Sequence, residues 1–101
     1  MATTTKALFR GAATTTLTTT LYTVPSSTTT VISNIVVVNT STTAGTFDLS
    51  LNGVKLADTV AIAADSIFAL DLKQVINASQ TILGGASTTA INFHISGVEI
   101  N

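Results

Sequence analysis

The sequence predicts an all-β chain: a small antiparallel β-sandwich, of jelly-roll or immunoglobulin-like type, with a flexible N-terminal arm. Three observations predict it. Apolar and polar residues alternate over short runs, as where Phe47, Leu49 and Leu51 are interleaved with Asp48, Ser50 and Asn52, which is the period of a strand with one buried face. Turn-forming residues separate such runs at intervals of roughly 8 to 12 positions, the spacing of a sandwich or small barrel. The stretch Thr19 to Asn39, TTLYTVPSSTTTVISNIVVVN, is the most strongly patterned in the chain and reads as two strands joined by a proline turn. At 101 residues the chain is one domain with a modest core. It divides into an arm over residues 1–16 and a sandwich over 17–101.

Residues 1–16 hold repeated Thr triplets and no sustained apolar period, so by themselves they bury too little to be fixed. Within the arm, Lys6, Leu8, Phe9 and Arg10 place an apolar pair between two positive charges and form a candidate anchoring segment. The first strand, Thr18 to Val24, ends because Pro25 forces its predecessor out of the helical region. Val31 to Val38 follows, β-branched and apolar on both faces in its second half, as expected of a strand at the centre of a sheet or covered on both sides.

Asn52-Gly53 is a strong hairpin signal, since both residues tolerate the positive φ of a type I′ turn. Val54 to Asp58 forms the returning strand, and Ala61 to Ala64 suits a connecting strand or turn. Ser66 to Leu72 is a strand with Phe68, Leu70 and Leu72 inward. Lys73 to Gln80 has the composition of a single helical turn, and Thr81 to Leu83 is a brief strand before Gly84-Gly85. In the last strand, Thr88 to Ile100, the apolar phase flips at Gly97, as a β-bulge would produce. The expected core is Phe47, Leu49, Leu51, Phe68, Leu70, Ile91, Phe93 and Ile95.

Composition narrows the function. Charged residues make up 9%, against the usual quarter, and none falls between Arg10 and Asp48. Hydroxyls replace them: 30 of the 101 residues are Thr or Ser, which leaves a polar but uncharged surface. A net charge of −1 provides no clustered Lys and Arg for nucleic acid. The apolar runs are strand-sized, so no membrane-spanning helix is expected, and the N-terminus lacks the apolar core of a secretion signal. With no cysteine, disulfides and thiolate metal sites are excluded, and synthesis in a reducing cytosol is expected.

No catalytic group stands out. His94 is the only histidine, on the polar face of the last strand beside Asn92 and Ser96, and a lone His without nearby ligands makes a poor metal site. The five carboxylates are scattered singly, and Ser or Thr needs an activating base to act as a nucleophile. An enzyme is not expected, and no cofactor is implied.

Leu21-Tyr22-Thr23-Val24-Pro25, the Ser/Thr turn, Val31 to Asn39, and then Phe47 to Gly53 together resemble small virion structural proteins of tailed bacteriophages. The resemblance covers Leu17 to Gly53 and describes a strand framework. It implies a virion location after synthesis in the host cytoplasm, and a non-enzymatic role as a capsid decoration or cement protein bound to the major capsid protein. Such proteins often form trimers, and a charge-poor chain lacks the usual protection against self-association, so a homotrimer is expected. The alternative is a tail, neck or fibre component, including a receptor- or carbohydrate-binding module; that would need exposed aromatic residues in loops.

Overall fold

The computed structural model describes residues 2–101, all in strands and their connections. Eight strands follow one another: β1 (Thr3–Ala12), β2 (Thr19–Thr23), β3 (Thr29–Asn39), β4 (Gly45–Leu51), β5 (Val54–Ile62), β6 (Ile67–Ile76), β7 (Thr81–Ala86) and β8 (Ile91–Ile100). They form two four-stranded sheets, the first in the order β1-β8-β3-β6 and the second β2-β7-β4-β5. All pairings are antiparallel.

The pairs β4·β5, β3·β6, β2·β7 and β1·β8 are nested, as if one long hairpin had been rolled up so that successive rungs fall in opposite sheets. This is a jelly roll. An immunoglobulin-type sandwich would group strands A, B, E and D against C, F and G, which this order does not match. The hairpin tip is Asn52-Gly53, where φ values of 50° and 79° match the predicted turn. β2 and β3, on the other hand, do not form a hairpin. The Pro25 turn carries the chain from the second sheet to the first.

The core lies between the sheets. Ile32, Ile35, Val37, Ile91, Phe93 and Ile95 come from the first, and Tyr22, Phe47, Leu49, Ile82 and Ala86 from the second. Phe47 meets Phe93 edge-on, with ring centroids 6.2 Å apart, a favourable aromatic geometry. Five of the eight expected core residues are fully buried, whereas Leu51 and Leu70 are half-buried and Phe68 is 36% exposed. The reason is position: β6 is an edge strand, so Phe68 packs on Phe47 at 5.5 Å and leaves the rest of its ring open.

Three other expectations are corrected. Within the stretch expected to be an arm, Thr3 to Ala12 form strand β1 and are not free. β1 pairs along the whole of β8, and Leu8 enters the core at 7% exposure. Thr triplets carry little apolar area, but β-branched residues suit an edge strand, and β8 supplies the backbone partners that the arm lacks by itself. Met1 lies outside the described residues. The helical turn expected after Lys73 is absent, since β6 continues to Ile76.

The bulge expected in the last strand sits on its neighbours instead. β8 keeps strict alternation through Gly97, while the register slips at Leu8 in β1 and at Ser33 in β3, on either side of it. A Cβ at Gly97 would lie 2.4 Å from the Val31 carbonyl and 2.9 Å from Leu8, so only glycine fits between the two irregularities. Val98 consequently faces outward with Ser96, and Glu99 faces inward.

Phe93→Ala should lower stability by about 3 to 5 kcal/mol, a large part of what a domain of this size has. Chemical denaturation measures it; an unchanged midpoint would contradict the burial of β8.

Candidate interaction surface

β3 is apolar on both faces, and the fold covers only one of them. Ile32, Ile35 and Val37 point into the core, whereas Val31, Val36 and Val38 lie on the outer face of the first sheet. Strand register arranges that face in rows. At one end Val31 stands between Val98 and Val75; at the other, Val38 stands between Asn92 and Ile67. Ile67 and Val75 are 69% and 59% exposed because β6 has no neighbour beyond it.

Two polar rows separate these ends. One runs Arg10, His94, Val36, Ala69, and the other Ala7, Ser96, Asn34, Asp71. Arg10 thus sits at the β1 edge and Asp71 at the β6 edge. Asn34 Nδ2 donates to Asp71 Oδ1 at 3.2 Å, but neither Arg10 nor Asp71 makes an ion pair among the described residues. His94 belongs to this face, as its place beside Asn92 and Ser96 implied.

The four candidate anchoring residues are split by the fold. Leu8 is buried and Phe9 packs against the core, so the apolar pair serves the chain's own interior. Lys6 lies 3.3 Å from Glu99, and Arg10 alone projects freely onto the outer face. Sequence reading missed the outer-face contributions of Ile67 and Val75, although the doubly apolar Val36 to Val38 was the signal that one face of this sheet would lack a cover.

Inside the sandwich, a polar network ties the two sheets. Tyr22 Oη donates to Glu99 Oε2 at 2.5 Å and lies 2.9 Å from Thr30 Oγ1. Burial, and then the hydrogen bond to Glu99, push the Tyr22 hydroxyl up to about 12 from 10.0. The same hydrogen bond, with Lys6 beside it, holds the Glu99 carboxyl below its ordinary value. A buried carboxylate, Asp48, accepts from Lys55 Nζ at 2.6 Å and from the Thr59 amide at 3.3 Å. Asp48 had been expected to face solvent; β4 is interior to its sheet, and Lys55 on the paired strand covers it.

One concavity, of about 290 Å³, opens beside the Asn52-Gly53 turn and is lined by Leu51, Val54, Leu56, Val75, Ile76 and Gln80 among others. It has no aromatic wall and no pair of titratable groups. No cluster of three or more His, Asp or Glu capable of holding a metal occurs among the described residues, and no helix is long and apolar enough to cross a membrane.

No known protein family matches the chain, and no curated protein does so either. Among solved structures, it is similar to a pentameric capsid protein from metagenomic phage sequences, at 13% identity and a TM-score of 0.40, with 90% of this chain aligned to 59% of that one. A second structure of a pentameric capsid protein of the same origin aligns at 14% identity and a TM-score of 0.40, over 90% of this chain and 60% of the other. The carbohydrate-binding module CBM35 from Paenibacillus barcinonensis aligns at 12% identity and a TM-score of 0.39, over 100% of this chain and 90% of the module. The chain therefore spans about three-fifths of the length of the capsid proteins it aligns with.

The Tyr22–Glu99 pair sets the expected pH dependence. A lowered Glu99 pKa contributes stability above its ordinary value of 4.5, which is lost as pH falls through the folded value. A raised Tyr22 pKa contributes stability below 10.0, which is lost as pH rises towards 12. Tyr22→Phe should lower the melting temperature at neutral pH and flatten both limbs of the stability profile. Parallel profiles for the two proteins would show that the pair is not coupled to folding.

Proposed function

We propose that this chain is a non-enzymatic structural protein of a tailed-phage virion, a capsid decoration or cement protein that binds the major capsid protein and stabilises the head shell. The observation that carries the reading is the outer face of the first sheet, where Val31, Val36, Val38, Ile67, Val75 and Val98 have no cover within the chain. Exposed apolar residues grouped at both ends of one sheet face, with few charges between them, suit an interaction site. Its polar rows carry few charges, so it suits a shell surface reached through apolar and hydrogen-bonded contacts rather than ion pairs.

Two further points support it. The strand framework from Leu17 to Gly53 resembles small phage virion proteins, and jelly rolls recur in viral capsids, an analogy at the level of fold. Arg10, at the rim of the face, is the anchoring candidate best placed to touch the shell. The protein acts as a homo-oligomer, with a trimer as the first expectation.

The carbohydrate-binding alternative is less well supported by the aromatic residues. Tyr22, Phe47 and Phe93 are buried, Phe9 packs on the core, and only Phe68 leaves part of its ring open, at the side of the sandwich. A stacking platform for sugars would need more.

Val36→Asp places a charge in the middle of the outer face without touching the core. Its melting temperature should stay within a few degrees of the parent, while co-sedimentation with heads lacking the protein should fall sharply. Undiminished co-sedimentation of a folded Val36→Asp protein would remove the outer face as the docking surface.

A further inference from the structure

The first sheet ends in two free edges, β1 on one side and β6 on the other, each ten residues long. Long free edges are a liability that proteins ordinarily blunt with charge, proline or cover. Here the chain's only proline, Pro25, lies in neither edge strand, each edge carries two charged residues, and β6 presents exposed Ile67 and Val75 beside its unpaired backbone. The two edges are also complementary. Because all pairings in the sheet are antiparallel, β1 and β6 run in opposite directions, so β1 of one molecule laid against β6 of another continues the antiparallel order.

Charge and side-chain facing select a register. Arg10 and Asp71 lie on the outer face, at opposite edges, each without an ion pair among the described residues. Setting Arg10 opposite Asp71 places Ala12 opposite Ala69 on the same face. It also places Gly11 opposite Leu70 and Phe9 opposite Leu72 on the inner face. Phe9, Leu70 and Leu72 are the half-buried residues that pack against the core from these two edges, and the pairing would complete their burial. Opposite charges and apolar pairs directly across strands are both stabilising.

We propose that copies of this chain associate edge to edge, β1 of one with β6 of the next, in a closed ring whose first sheets form a continuous belt. The contact is heterologous, and such contacts close into rings when the rotation per subunit permits. It deepens the reading above, since it names the contact behind the homo-oligomer and leaves the outer face free for a shell.

The test is a charge exchange read by light scattering after size exclusion, with melting temperature as the check on folding. The parent should have a fixed mass at a multiple of 10.3 kDa over a wide concentration range. Arg10→Asp alone and Asp71→Arg alone put like charges across the contact and should raise the concentration for half-assembly by about five- to tenfold. The double variant R10D/D71R should restore it. A monomeric parent, a mass that grows without limit, or singles and double that assemble alike would each overturn the proposal. Co-sedimentation with heads, measured on the unsubstituted protein, separates the two readings: a ring that ignores heads overturns the capsid role alone, and a monomer that binds them overturns the ring alone.

Discussion

The position of β8 is the constraint on which the rest of the structure depends. The last strand of the chain lies between the first and the third; its neighbours carry the two register slips that flank Gly97, while its own unbroken alternation turns Glu99 inward. With β8 in place, β1 has a partner, Leu8 reaches the core, and Tyr22 of the opposite sheet meets Glu99. Without it, both flanking strands would present unpaired backbone, and β3 would lose the neighbour that aligns Val31 with Val98. Since this closure joins residues almost a full chain length apart, it is costly in loop entropy, and folding should be slow for a domain of this size.

Much of the fold was legible in the sequence because alternation and turn chemistry are local. The Asn52-Gly53 tip, the alternation of β4 and of β8 up to Ser96, and five core positions follow from period and positive-φ preference alone. The strand ends and the exposure of β6 do not, because they depend on which strand becomes an edge, a property of the closed topology. The same limit explains the arm: nothing within residues 1–16 shows that β8 waits for them at the other end of the chain. Asp48 was misplaced for a related reason. An alternating strand marks two faces, but whether the polar face meets solvent depends on its neighbours, and here Lys55 and the Thr59 amide enclose the carboxylate.

The candidate surface was legible as a surplus. A sandwich needs β3 to be apolar on one side, and Val31, Val36 and Val38 make it apolar on the other. Few charges are present to interrupt that second face, and those at its margins, Arg10 and Asp71, are of opposite sign. A chain that places valine where a monomer would place threonine or lysine forgoes solubility, which is consistent with a surface covered by a partner.

The central claim is that the outer face of the first sheet is the side turned to a phage head. Electron cryomicroscopy of heads saturated with the protein tests it most directly, because a sandwich with one covered and one bare face is readily oriented in a map. The account predicts that β3 and β8 lie against the shell, with Val36 and His94 inside the contact. A map in which that face is turned to solvent, with the protein held instead through the second sheet or the Asn52-Gly53 tip, would contradict it.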